Sequence, residues 1–213
     1  MSTAEGGGNI VTDGLVLLLD AANTKSYPTT GTTWTDLSRS GYNGTLTNGP
    51  TFNSGNGGSI VFDGTNDYIN MNNINFGKTY TISLWVKLDD LSSRVWVGGI
   101  NTTEYHMNFQ SGNMANRVNN NLVTFSTNVT TNIWYNISLV RSNTTLTCYK
   151  NGDLVSSTTA AGATTDFVLY RIGSLPSGFY GNGNISNILF HNRVLTVSEI
   201  SQNFNATRSR FGI

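Results

Sequence analysis

The chain is expected to fold as an all-β protein, an antiparallel two-sheet sandwich with one short helix near its C-terminus. Three observations support this. Apolar/polar alternation recurs along the chain; in Trp134–Arg141, Tyr135, Ile137 and Leu139 fall on one face, Asn136 and Ser138 on the other. Asn151-Gly152 then stands where a two-residue hairpin needs positive φ at both positions, which Asn and Gly tolerate best. The composition also suits strands and tight turns, being rich in Thr and Asn with 23 Gly.

The elements follow from local pattern. Leu15-Val-Leu-Leu-Leu-Asp20 is a continuous apolar run between Gly14 and Asp20, as in a buried strand. Residues 21–56 read as a long loop-rich stretch without an assigned strand, with turn signals at Ser40-Gly-Tyr-Asn-Gly44 and Asn48-Gly-Pro50. Ser59–Phe62 and Asp67–Asn70 read as short strands around the turn Asp63-Gly-Thr-Asn66. In Tyr80–Leu88, Ile82, Leu84, Val86 and Leu88 form an apolar face, with Ser83, Trp85 and Lys87 opposite. Further strands are expected at Val95–Ile100, Tyr105–Gln110, Asn113–Val118, Leu122–Thr127, Thr145–Lys150, Phe167–Ile172 and Asn184–Phe190. Thr196-Val-Ser-Glu199 has the spacing of a capping box, so a helix is expected over Val197–Phe204, with Val197, Ile200 and Phe204 on its inner face.

No Pro-rich, Ser-rich or charged linker divides the middle of the chain. We expect one domain over residues 14–207, a Gly-rich arm over 1–13 and a tail over 208–213. Charged residues are 11% of the 213, under half the usual share of about 25%, so solubility rests on neutral polar groups. The 12 basic and 12 acidic residues cancel, and no basic stripe is present to neutralise phosphates, which argues against nucleic-acid binding. The basic Arg208-Ser-Arg210 is read as a solvated or partner-facing end. The longest apolar run, Leu15–Leu19, is too short to span a bilayer, and Met1–Gly8 lacks a signal-peptide pattern, so synthesis in a cytoplasm is expected. Cys148 shares a strand face with Leu146 and reads as a small core residue.

Catalytic signals are sparse. Glycoside hydrolysis needs two carboxyl groups flanking the bond, yet the glutamates are Glu5 in the arm, Glu104, and Glu199 in the capping box. Asp89-Asp90 reads as a solvated turn. His106 and His191 lie in separate strands, without a nucleophile elbow or zinc-ligand spacing. Binding signals are richer. Trp85, Trp134 and Tyr149 lie opposite the apolar faces and are candidate platforms for stacking a sugar ring. Packing under a covering segment is the plainer alternative. Asp20, Asp36, Asp63 and Asp67 lie in or beside loops and are candidate oxygen ligands for calcium, although turn chemistry explains each as well.

Taken together, Ile60–Ile69, Tyr80–Lys87, Trp134–Arg141, Cys148–Val155 and Phe179–Ile200 resemble the laminin-G-like, concanavalin A-like jelly-roll family, in the family's order. That resemblance implies a two-sheet jelly roll used mainly to bind glycans or proteins, often with calcium. Two departures touch loops that would otherwise be nominated for calcium: Arg39-Ser-Gly-Tyr-Asn43 where relatives often carry Gly-Asn-Gly-Asn, and Asn187 where they often carry Asp. The end segments Asn9–Pro28 and Gln202–Ile213 resemble stand-alone copies in virion proteins of tailed bacteriophages. The resemblance implies a non-enzymatic, homo-oligomeric subunit on the particle surface, decorating the capsid or mounted on the tail, with other virion proteins and a host glycan as partners. Ile10, Val11, Arg208, Arg210 and Phe211 are then the expected assembly contacts. A free lectin module is the alternative, and a glycan-cleaving enzyme is disfavoured by the carboxylate count.

Overall fold

The computed structural model describes residues 9–101 and 104–213. The strands are β1 (Leu15–Asp20), β2 (Thr33–Trp34), β3 (Gly44–Thr47), β4 (Thr51–Asn53), β5 (Ser59–Asp63), β6 (Tyr68–Gly77), β7 (Thr79–Leu88) and β8 (Arg94–Gly99), then β9 (Tyr105–Gln110), β10 (Asn113–Val118), β11 (Asn121–Phe125), β12 (Trp134–Ser142), β13 (Thr145–Lys150), β14 (Asp153–Thr159), β15 (Phe167–Ile172) and β16 (Asn182–His191); helix α1 spans Val197–Thr207. They form two antiparallel eight-stranded sheets. The first runs β14-β13-β12-β7-β16-β5-β4, with β1 also paired to β16; the second runs β11-β10-β9-β8-β15-β6-β3-β2. In the first sheet β12 pairs β7, β7 pairs β16, and β16 pairs both β5 and β1, strands distant in the chain, which is the crossing pattern of a jelly roll.

Alternation places the core as expected. Ile82, Leu84, Val86 and Leu88 of β7 and Ile137 and Leu139 of β12 face inward, and Leu146 and Cys148 of β13 join them. Burial pushes the Cys148 thiol up to about 12, so it stays protonated and packs as an apolar group. The Asn151-Gly152 turn has φ of +53° and +85°, as a type I′ hairpin requires. Gly183 has φ +135°, and a Cβ there would run into the Lys87 carbonyl, so a side chain is excluded where β16 lies between β5 and β7.

The interior also holds a buried polar group. Tyr80 hydrogen-bonds His106 Nε2, and burial holds that imidazole neutral, with its pKa lowered to about 3. Arg141, fully buried, donates to the carbonyls of Asn143, Ala163 and Thr165 at 2.7–2.8 Å. Glu104 accepts from Thr165 and Asn101.

Two expectations are corrected. Residues 21–56 contain β2, β3 and β4, short polar strands whose pairing to β6 and β5 supplies an order their own sequence does not signal. The capping box forms, but Val197 is 61% exposed. Asn203, Ala206 and Thr207 take the inner face beside Ile200 and Phe204.

Candidate ligand-binding site

The outer face of the first sheet is built by strand register. Because side chains alternate, residues paired across strands on one face form ladders. Asn136 of β12 lies opposite Trp85 of β7, Trp85 opposite Asn187 of β16, and Asn187 opposite Asp20 of β1. The next ladder is Ser138, Ser83, Leu189 and Leu18. All of these residues but Ser138 floor a cavity of about 740 Å³. Helix α1 walls it with Asn203, Ala206 and Thr207, the C-terminal turn with Arg210, and the N-terminal segment with Asn9, Ile10 and Thr12.

The walls are held by specific bonds. Arg210 grips Asp20 with both terminal nitrogens, at 2.8 and 2.9 Å. The Asn203 Oδ1 accepts from the Val11 amide at 2.8 Å, and Gln202 donates to the Asn9 carbonyl at 2.7 Å. Trp85 Nε1 donates to Thr207 Oγ1 at 2.8 Å, while its ring stacks on Phe204 and, at 3.9 Å and 18°, on Phe211. Asn187 and Asn203 both line the cavity, and Asn187 Oδ1 and Asn203 Nδ2 are buried without a hydrogen-bond partner among the described residues.

The structure gathers some of the expected residues and disperses others. Trp85 belongs to the floor, yet the helix and tail cover its ring completely, so it is no open stacking platform. Trp134 is half-buried, donating to Asn56 Oδ1 at 3.1 Å with its ring beside Phe211. Tyr149 is buried with Val11, Val140, Leu195 and Ile200. All three point outward as phased; a C-terminal segment over 45 residues away in the chain covers the face.

The four nominated aspartates do not converge. Asp20 serves Arg210, and Asp36 accepts from the Leu18, Ser38 and Tyr42 amides and the Ser38 hydroxyl. Asp63 closes its own turn through the Thr65 amide, and Asp67 accepts from the Asp63 amide. Burial raises the Asp67 pKa, partly offset by that amide bond. Among the described residues no three His, Cys, Asp or Glu side chains gather as a metal site. Asn187 lies in a strand and faces the cavity, not a calcium loop.

The nominated assembly contacts largely fold back on the domain. Val11 is buried, and its carbonyl hydrogen-bonds His191 Nε2 at 3.0 Å. Ile10 and Arg210 line the cavity, and Phe211 covers Trp85; Arg208 is exposed. Residues 9–13 therefore pack as part of the domain. Residues 1–8 of the expected arm, including Glu5, lie outside the described residues. Sequence reading missed Asn136, Asn203 and Thr207 as cavity residues, and it set Asn187 in a loop. The available clue was polar Asn203 and Thr207 at helical spacing beside Ile200, on a face that should be apolar.

A family model described as the concanavalin A-like lectin/glucanases superfamily matches residues 63–201. No curated protein sequence matches the chain. Among solved structures, domain 4 of AbnA, a GH43 extracellular arabinanase from Geobacillus stearothermophilus in complex with arabinotriose, aligns with TM-score 0.72 at 17% identity, covering 92% of this chain and 100% of that one. Trypanosoma rangeli sialidase in complex with sialic acid aligns with TM-score 0.70 at 16% identity, over 96% of this chain and 35% of that one. The binding domain of botulinum neurotoxin serotype D aligns with TM-score 0.65 at 16% identity, over 91% of this chain and 52% of that one. The chain thus spans about a third and about half of the last two. At these identities the likeness is one of fold.

Proposed function

We propose, from the premise that the chain belongs to the concanavalin A-like lectin/glucanases superfamily, that it is a non-catalytic glycan-binding subunit displayed on a bacteriophage particle. One observation carries the glycan reading: a cavity of about 740 Å³ whose floor and helical wall present neutral amides and hydroxyls beside leucines. A sugar ring has the same division, with hydroxyls at its edge and C–H groups on its faces. Pockets that combine an apolar lining with a few placed polar groups are the usual ligand sites.

The non-catalytic part rests on the carboxylates. Of the acidic side chains described, Asp20 alone lines the cavity, and Arg210 occupies both its oxygens. Cleavage of a glycosidic bond would need a second carboxyl across the ligand. Glu104 is buried and Glu199 is engaged by Arg193 and its own cap. The virion setting rests on the likeness of Asn9–Pro28 and Gln202–Ile213 to stand-alone phage copies. These segments meet in the fold, through Gln202 with Asn9, Asn203 with Val11 and Arg210 with Asp20, and together they wall the cavity.

Purified protein on a glycan array, alongside antibody labelling of whole particles, tests both parts. Binding to one group of glycans without hydrolysis products, and label on intact particles, is expected. An array without hits removes the glycan reading, and unlabelled particles remove the virion reading.

A further inference from the structure

We infer that the outer face of the second sheet is a separate binding surface, and that it takes an anionic polysaccharide through Arg117 and Arg171. The inference goes beyond the cavity reading and does not depend on it, because the cavity lies on the other sheet. Strand register builds the surface. The pairs Leu122–Arg117, Arg117–Tyr105, Tyr105–Gly98, Gly98–Arg171 and Arg171–Asn70 set one row across β11, β10, β9, β8, β15 and β6. Their chain neighbours Val118, Ile172 and Ile69 lie in the core, so alternation turns the row outward. Helix α1 and the tail cover the first sheet; here Arg117, Tyr105, Arg171 and Asn70 stay half-buried and Leu122 is exposed.

The charge on this face has one sign. The eight strands of the second sheet contain no Asp, Glu or Lys, and their arginines are Arg94, Arg117 and Arg171. Arg94 is ion-paired with Asp90 at 2.9 Å. Among the described residues Arg117 has no hydrogen-bond or ion-pair partner, and Arg171 has one, the Leu175 carbonyl at 3.3 Å. In both, Nε alone is buried unpaired, so the terminal nitrogens of Arg117 and Nη2 of Arg171 reach solvent. The acidic residues nearest in the chain are engaged elsewhere: Asp67 accepts from the Asp63 amide, Glu104 from Thr165 and Asp166 from Asn75. The Tyr68 ring, 3.9 Å from the Arg171 guanidinium, fixes that charge in place. Two unmatched positive charges on an open face attract anions. They stand three strand spacings apart, about 14 Å, so a single acidic sugar cannot meet both, whereas a chain with repeating charges can. Between them the turn after β15 lies on Gly98, where a Cβ would run into the Ser174 carbonyl. Tyr105 and Asn70, beside the arginines, offer a hydroxyl and an amide to sugar hydroxyls. Nucleic acid fits less well, because two phosphate contacts supply little of the charge neutralisation on which its binding depends.

The test measures binding of the full-length protein to immobilised dextran sulfate and polygalacturonate, which separate sulfate from carboxylate. Dextran serves as the neutral match, and polyglutamate and a single-stranded oligonucleotide as the other polyanions. At least one acidic polysaccharide is expected to bind, and added salt to weaken that binding. R117Q and R171Q are each expected to weaken it roughly tenfold, and the double variant roughly a hundredfold, because well-separated contacts add. Thermal unfolding of each variant separates lost contact from lost fold. R171K, which keeps the charge, is expected to recover part of the loss, and the salt dependence of the wild type needs no variant. Dextran bound as tightly as dextran sulfate, by wild type and double variant alike, places the binding elsewhere and overturns the inference. Polyglutamate or the oligonucleotide bound more tightly than either acidic polysaccharide overturns the choice of ligand. A folded double variant that binds like wild type overturns the site, and a protein that binds neither acidic polysaccharide overturns the inference whole. The cavity reading stands in each case, because neither arginine lines the cavity.

Discussion

Replacing Phe211 with Ala should uncover Trp85 and destabilise the domain. Phe211 stacks on Trp85 at 3.9 Å and touches Trp134 at 4.9 Å, and it belongs to the turn that carries Arg210 to Asp20. Truncating a fully buried Phe costs about 3–5 kcal/mol. Phe211 is half-buried, which halves that figure, and losing an aromatic stack adds about 1 kcal/mol. The expected loss is about 3 kcal/mol, or roughly 6–12 °C in Tm for a domain of this size. Fluorescence gives a second readout. Trp34, Trp85 and Trp96 are each 0% exposed, so Trp134 accounts for the accessible emission. In a Trp134→Phe background, Phe211→Ala should make Trp85 reachable by acrylamide and shift emission to longer wavelength, while Trp34 and Trp96 stay inside the sandwich. A melting point unchanged within about 1 °C, with unchanged quenching, would refute the view that the tail is a fixed cover over the outer sheet face.

Acid should destabilise the protein through its histidines. The folded-state pKa of His106 is lowered by burial to about 3, and that of His191 is lowered for the same reason. Each binds a proton more readily when unfolded. Stability is therefore full above the unfolded pKa of about 6.5 and falls as pH drops toward the folded value; a urea midpoint flat between pH 7 and 4 would contradict this. Arg141→Met leaves the carbonyls of Asn143, Ala163 and Thr165 without their donor and should cost at least about 3 kcal/mol by urea unfolding, with Arg141→Lys recovering only part. Thr196→Ala removes the hydroxyl that receives the Glu199 amide and should cost about 1 kcal/mol, read as a Tm drop of roughly 2–4 °C.

The sequence by itself determined the features governed by local physics. Strand alternation, the positive φ pair at Asn151-Gly152 and the Thr196–Glu199 cap each depend on residues a few positions apart, and each is present in the fold. The inward faces of β7, β12 and β13 were legible for the same reason. What alternation cannot say is what covers the other face. Trp85 looks the same in sequence whether it meets solvent or, as here, Phe204, Thr207 and Phe211. Only the tertiary structure decided that, along with the register that aligns Asn136, Trp85, Asn187 and Asp20 across four strands. The strands β2 to β4 were hidden likewise, since Gly44-Thr-Leu-Thr47 is ordered by its pairing with β6 and not by its own pattern. The cavity is the sum of such distant pairings, joining residues 9–25 to 203–210 over a floor from the middle of the chain. No window of sequence contains it, because the bonds that hold its walls join groups over 180 residues apart.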